Sequence, residues 1–304
     1  MAGSSFVRLQ DSDLSATYLA AEATSGRGQR RTKLLIRVEL ISLIVASVTG
    51  VTTWRVMDRY DVLAVISALA FLLALACTVI RASTRPEASW YAGRAAAESA
   101  KTLGWRYAVG GAPFPPDETE AVINDRFLGR LRQVVEQLKD TALSVPDSTA
   151  YEVTAVMRNI RLQDLGTRRV VYKRDRITDQ LRWYERRTKT HAASAERWIR
   201  LAVASSALGV ISAAFKFFVI DVDLLGVFAA CASAAIAWNQ LNQHRSLVAA
   251  YAVAARELSL IRDRIDHVPD NEWATFVSDS EDAISREHTM WLARHGHIMP
   301  STSR

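Results

Sequence analysis

Residues that favour turns and strands are scarce in this chain: glycine and proline supply 13 and 7 of its 304 residues, while Ala, Leu, Val and Arg dominate. That imbalance points to a helical protein with almost no sheet. Cysteine is limited to Cys77 and Cys231, both inside apolar runs, which excludes a disulfide framework and leaves them as small packing residues. The motifs of the common enzyme mechanisms, G-x-S-x-G, H-E-x-x-H, C-x-x-C and the Walker loop, are all missing. The chain therefore offers no catalytic residue and no cofactor-binding residue, and it reads as a non-enzyme. The glycine pair Gly26 and Gly28 is too short and isolated for a phosphate loop and reads as a turn. His288, His295 and His297 cluster near the tail, but no cysteine or spaced carboxylate set joins them, so no metal site is expected. No secretory signal core with a small-residue cleavage site occupies the first thirty residues, so the first membrane helix is expected to target the protein.

What the chain does have is Val62 to Ile80, a run without one charged side chain. At ~1.5 Å per helical residue it nearly covers the ~30 Å of a bilayer's hydrocarbon, where a backbone must satisfy its own hydrogen bonds. Leu34 to Trp54 is a weaker span that carries Arg37 and Glu39 near its start. Between the two runs Arg55 to Asp61 allows a tight hairpin turn, and its charges, Arg55 and Arg59 against Asp58 and Asp61, cancel. Both outer flanks are basic: Arg27, Arg30, Arg31, Lys33 and Arg37 before, Arg81 and Arg85 after. The hairpin thus enters from the cytoplasm and returns there, with both chain termini cytoplasmic. The net charge of +6 is accounted for by these flanks. No basic stripe with interleaved aromatics stands apart from them, which argues against nucleic acid as a partner.

The pattern recurs. Tyr172 to Trp198 reads as a long helix with Ile177, Leu181, Tyr184, Thr188, His191, Ala195 and Trp198 at heptad spacing, running into a third span, 198–220. After a turn at Asp221 to Asp223 comes a short fourth span, 224–238, then an exit helix, 239–265, and a C-terminal helix, 271–294, with Trp273, Phe276, Ile284 and Trp291 facing a core. In the first half, Leu14 to Ala23 reads as a short helix broken by Gly26 and Gly28. Helices are expected over 87–107 and 117–143, the latter with a stripe of Ile123, Phe127, Leu131, Val134 and Leu138 closed by Pro146. Tyr151 to Gly166 is a further amphipathic piece. The expected fold is an all-α membrane protein: two transmembrane hairpins, four spans, with long cytoplasmic helices forming a bundle. The two units are taken as 1–145 and 146–304.

Small side chains recur every four residues in three of the spans: Ser42, Ala46 and Gly50; Ser205, Gly209 and Ala213; Gly226, Ala230 and Ala234. Such stripes let helices approach closely in lipid, where packing rather than hydrophobicity joins them. Arg37, Glu39 and Lys216 could line or gate an ion path, with Thr49, Thr52, Thr53, Ser205 and Ser206 as a polar wall. The alternative is that the three charges snorkel to the head groups and the hydroxyls bond between helices.

The run from Arg85 to Pro115 carries Trp90, Tyr91, Gly93, Arg94, Lys101, Trp105, Arg106 and Tyr107. It resembles the signature that follows the membrane hairpin in one subgroup of the SLATT family, two-transmembrane effector domains associated with SMODS nucleotide cyclases and SLOG nucleotide sensors. Leu181 to Val203 through Ala255 to Ile265, with Trp183, Tyr184 and Arg186, resembles a second subgroup. The resemblance implies a bacterial inner-membrane effector that oligomerises, forms a pore and damages its own cell's membrane when a conflict system detects invasion. Its implied partners are the lipid bilayer, further copies of itself, and a trigger protein or nucleotide second messenger; no cofactor is implied. The other reading is a membrane-anchored helical scaffold that recruits a cytoplasmic partner. Trp90, Tyr91, Trp183 and Tyr184 could form a ligand site, or anchor and pack helices.

Overall fold

The structure, a computed structural model, describes residues 7–53, 55–56, 60–136, 150–218 and 224–295, with 55–56, 217–218 and 286–295 described by backbone alone. Trp54, Asp58, Arg59, Leu138, Pro146, Asp221 to Asp223 and His297 lie outside the described residues, as do the side chains of His288, Trp291 and His295.

Among the described residues the chain is all-α apart from one minimal ladder. Helix α1, Ala16–Thr49, is followed by β1, Arg55–Val56, and β2, Tyr60–Asp61, paired antiparallel with Arg55 opposite Asp61. Then come α2, Val62–Thr84, α3, Pro86–Val109, and α4, Glu120–Glu136. Two short helices follow, α5, Ala155–Arg161, and α6, Leu165–Val171. A π-helical stretch, Tyr172–Thr178, joins α6 without a break to α7, Asp179–Phe218. Then follow α8, Leu225–Asn242, α9, His244–Arg264, and α10, Trp273–His295. The order long helix, return helix, exit helix, last helix therefore occurs twice. In both copies a single left-handed residue separates return from exit helix, Arg85 at φ 40° and Gln243 at φ 47°.

That second break corrects the expected exit helix over 239–265: α8 continues to Asn242, and α9 starts one residue after Gln243. A second correction concerns Gly26 and Gly28, which lie inside the unbroken α1 rather than ending a short helix at Ala23. An interior glycine costs ~1 kcal/mol relative to alanine, and tertiary packing overrides it here. Ala21 and Ser25 of α1 meet α3 so closely that a Cβ on Gly93 would stand 2.7 Å from the Ser25 nitrogen and 3.0 Å from the Ala21 oxygen. Only glycine fits that crossing.

The chain divides into two compact units, each assembled from separated stretches: Met1–Gln29, Glu87–Arg186 and Ala250–Arg304 in the first; Arg30–Pro86 and Arg187–Ala249 in the second. The first has a conventional core. Tyr107, Phe114, Phe127, Ile123, Met157, Ile160, Tyr172, Ile177, Tyr184 and Val277 are fully buried. The expected stripe of α4 is buried from Ile123 through Phe127 and Leu131 to Val134.

The end of α3 leaves carbonyls that its own helix cannot satisfy, and arginines supply the donors. Arg168 Nη1 and Trp273 Nε1 both donate to the Val109 oxygen, at 3.0 and 2.8 Å. Arg161 donates to the oxygens of Tyr107, Phe114 and Pro115 at 3.0, 2.9 and 2.6 Å. Gly110 follows with φ 74°, and a Cβ there would overlap the Arg168 guanidinium.

Across this core runs a fully buried ion pair. Arg176, in the π-helical stretch, donates from Nε and Nη2 to the two carboxylate oxygens of Glu281 in α10, at 2.9 and 2.7 Å. The Tyr172 hydroxyl and the Thr102 hydroxyl of α3 donate to the same carboxylate at 3.0 and 3.1 Å. Burial, then the Glu281 charge, pushes the Tyr172 phenol far above its ordinary range.

The second unit reverses the usual order of inside and outside. Most of its buried positions are small, among them Ser42, Ala46, Ala70, Ala74, Cys77, Ala202, Ser205, Ala232 and Ala235, with Ile36 a larger exception. Its large apolar side chains face out, with Leu72 61%, Leu69 59%, Val203 63% and Val210 70% exposed. Two described helices are long and apolar enough to cross a membrane: Val62–Thr84, and the continuous helix Leu165–Lys216.

Removing one partner of the buried pair leaves an uncompensated charge, so Glu281→Ala is expected to destabilise the protein by ~3–5 kcal/mol, seen as a fall in thermal midpoint. The paired change Arg176→Met with Glu281→Leu is expected to recover most of that loss.

Candidate functional site

The second unit is built from the membrane-type helices outward. Asp61 caps α2 by accepting from the nitrogens of Leu63 and Ala64 at 3.1 and 3.3 Å. Next to that turn, Ser67 of α2 donates to the Ala46 oxygen of α1 at 3.0 Å. At the other end of the same pair, Glu39 accepts from the Thr78 hydroxyl at 2.9 Å and from Arg81 Nη2 at 3.5 Å. A carboxylate that looks costly in an apolar helix is thus matched by a cation and a hydroxyl from the adjacent helix.

The later helices pack by a different rule. Gly209 of α7 brings its backbone against Leu225 and Phe228 of α8, both 3.4 Å from where a Cβ would be. Leu225 and Phe228 share a spacing of three, four and three with Ala232 and Ala235, the two buried residues of α8. The expected stripe of Gly226, Ala230 and Ala234 lies on another side: Gly226 is exposed with Ser47 of α1 nearest, and Ala230 and Ala234 are half-buried. A strict period of four drifts around a 3.6-residue helix, whereas alternating three and four keeps to one side.

Trp198 of α7 and Trp238 of α8 meet with ring centroids 6.2 Å apart, and the Arg37 guanidinium lies 5.0 Å above the Trp238 ring. Near this level His191 of α7 faces His244 of α9, their Nδ1 atoms 2.9 Å apart. One ring donates its Nδ1–H to the bare Nδ1 of the other. Desolvation, the neighbouring His244, and the charges of Arg187 and Lys33 push the His191 pKa down to about 4. Desolvation and Lys33 lower that of His244 as well. The pair is therefore neutral near pH 7.

The residues expected to line a path are dispersed. Arg37 is exposed and stacked on Trp238, and Glu39 is engaged with Arg81. The Thr49 hydroxyl donates to the Val45 oxygen of its own helix, while Thr52 and Thr53 lie past the end of α1 and are exposed. Ser205 is buried; Ser206 and Lys216 are exposed. Among the packing residues, Ser42, Ala46 and Gly209 are buried, whereas Gly50 and Ala213 are exposed.

The aromatic and basic residues singled out after the first hairpin fall in the first unit. Gly93 makes the α1–α3 crossing, and Arg94 pairs with Glu98 at 2.7 Å and Glu22 at 3.7 Å. Lys101 pairs with Asp11 at 2.6 Å, Trp105 is buried against Tyr172, and Arg106 pairs with Asp282 at 2.6 Å. The Tyr107 hydroxyl donates to Asn124 at 2.7 Å. Trp90 and Tyr91 touch, with ring centroids 5.2 Å apart. Trp183, Tyr184 and Tyr251 of α9 form a three-ring cluster with centroids 5.2 to 5.3 Å apart, while Arg186 is exposed. These residues are mostly packing and pairing groups within one core.

Residues 16–169 match the family model of SMODS and SLOG-associating 2TM effector domain 3, and residues 172–291 match that of effector domain 1. The chain belongs to the SLATT family. It carries two SLATT domains in tandem, meeting where α6 passes into the π-helical stretch. As a SLATT protein it is a membrane-associated effector of conflict systems. No curated protein and no solved structure matches it. Two features of this SLATT chain escaped its sequence. The Arg176–Glu281 pair had a signal, one charge of each sign on an otherwise apolar stripe in two separate helices. The His191–His244 pair had only the core heptad position of His191.

The histidine pair sets a pH dependence. With a folded pKa of about 4 against an ordinary 6.5, His191 binds fewer protons folded than unfolded between those values. Its contribution to stability is complete above pH 6.5 and is lost as pH falls towards 4. In detergent, the fall in thermal midpoint between pH 7 and pH 5 is expected to be smaller for His191→Gln than for the unaltered protein.

Proposed function

We propose that the chain is a bacterial inner-membrane effector with four spans in two hairpins and both termini in the cytoplasm, which assembles into a homo-oligomer and opens a path through the membrane. The observation that carries this reading is the reversed burial of the second unit. On α1 the side chains of Leu34, Ile41, Val45 and Val48 point outward, as does Ile236 on α8, matching the outward faces of α2 and α7. A surface of that kind is stable in lipid and unstable in water.

Pairing of Glu39 with Arg81 and the position of Arg37 over Trp238 explain how the weaker α1 span tolerates its charges. The interior of the unit is filled mostly by small side chains, so a conducting path forms between subunits rather than inside one. The trigger is a separate protein or a nucleotide second messenger, acting on the first unit, which is the cytoplasmic bundle in this reading.

Purified protein in phosphatidylglycerol-containing liposomes is expected to release a trapped ion or dye once triggered. Ala46→Leu, which overpacks the α1–α2 crossing by ~1–3 kcal/mol, is expected to cut that release roughly tenfold. Absence of release under every trigger tried, together with an unchanged membrane potential on expression, overturns the pore. Binding of a partner by the protein with no release supports a scaffold instead.

A further inference from the structure

Between α7 and α9 the second unit contains an open groove of about 330 Å³. Its α7 side is one helical face, Ala192, Ala195, Glu196, Ile199 and Arg200, spaced three, one, three and one; Arg245 and Val248 supply the α9 side. The groove exists because Gln243 ends α8 in a left-handed turn and lets α9 start alongside α7, where His244 meets His191.

Two features specify an occupant. The floor is small and apolar, from Ala192 and Ala195 to Ile199 and Val248, while Arg200 and Arg245 offer two guanidinium groups from facing helices. Glu196 lies 3.7 Å from Arg200, but both side chains are about 70% exposed, so that pair is weak and yields to a better anion. The groove also sits at a defined depth. It begins beside Trp198, whose ring meets Trp238, itself covered by the Arg37 guanidinium; that cluster marks the level where aromatic and basic side chains meet head groups. From Ile199 back to Ala192 is about 10 Å of helix at 1.5 Å per residue, comparable with the ~5–8 Å depth of one head-group layer.

We propose that this groove binds one anionic phospholipid, with the phosphate held between Arg200 and Arg245 and the glycerol and upper chain lying over the alanine floor. Guanidinium groups suit the task because their forked donors match phosphate oxygens. The proposal rests on reading α7 as a membrane-crossing helix. It adds that lipid binds at a built site joining the helix that enters the second hairpin to the helix that leaves it, so that head-group composition bears on how those two helices are held.

The test uses the full chain purified in a neutral detergent and follows its thermal midpoint on addition of phosphatidylglycerol, phosphatidylcholine or inorganic phosphate. Phosphatidylglycerol alone is expected to raise the midpoint. That rise is expected to vanish in Arg200→Gln with Arg245→Gln, and in Ala192→Trp, which fills the groove without changing charge. It is expected to persist in Arg30→Gln with Arg197→Gln, which removes the same charge from exposed positions elsewhere in the unit. A rise that survives the groove substitutions, one lost equally in the control pair, or one reproduced by inorganic phosphate overturns the site. Failure of the membrane reading itself looks different: the protein would then remain in solution without detergent and would not sediment with membranes.

Discussion

Everything in this fold follows from one chain having to satisfy two solvents. Residues of the first unit gain by hiding large aromatic and aliphatic side chains from water, and Tyr107, Phe114, Phe127, Tyr172 and Tyr184 are fully buried there. In the second unit the same driving force acts in the opposite direction. Lipid accepts Leu69, Leu72 and Val210 on the outside, so nothing is gained by burying them, and cohesion must come from close backbone contact. Hence most of the buried positions there are alanines and serines, and hydroxyls such as Ser67 and Thr78 bond across helices.

The first unit has its own organising element in the carboxylate of Glu281. Donors from α3 and from the π-helical stretch converge on it, so it ties the helix that follows α2 and the stretch that leads into α7 to α10. A hydrophobic replacement of such a pair is often no less stable; what the buried pair adds is a single permitted register, because an unmatched charge in that core is expensive. The arginines that cover the α3 terminus act alike: Arg161 and Arg168 fit only if the loop after Val109 runs where it does.

Much of this was readable beforehand, and the exceptions have physical causes. The charge-free run 62–80 is the body of α2, and the spacing of Ile123, Phe127, Leu131 and Val134 identified the buried face of α4, because apolar periodicity reports directly on burial. Gly26 and Gly28 misled because local propensity is weaker than the packing gained where α1 meets Gly93. The most buried residues of α8, Ala232 and Ala235, did not stand out because small residues are abundant all round that helix, so several stripes satisfy the same pattern. The path-lining set dispersed for a related reason. A hydroxyl in an apolar helix can satisfy itself on the preceding turn, as Thr49 does, and nothing in composition distinguishes that from a polar wall.

The π-helical stretch Tyr172–Thr178 has a consequence for how such chains are compared. A wide turn of this type absorbs an additional residue without ending the helix, and one residue corresponds to about 100° of rotation around a helix axis. The stripe followed by α6 therefore does not extrapolate into α7: beyond the wide turn the inward positions fall on Leu181 and Tyr184 in a new phase. Tandem SLATT chains with and without this turn would look alike in hydropathy yet be out of step by one position along their longest helix, so equivalent residues in them have to be matched by facing direction and not by count from the domain junction.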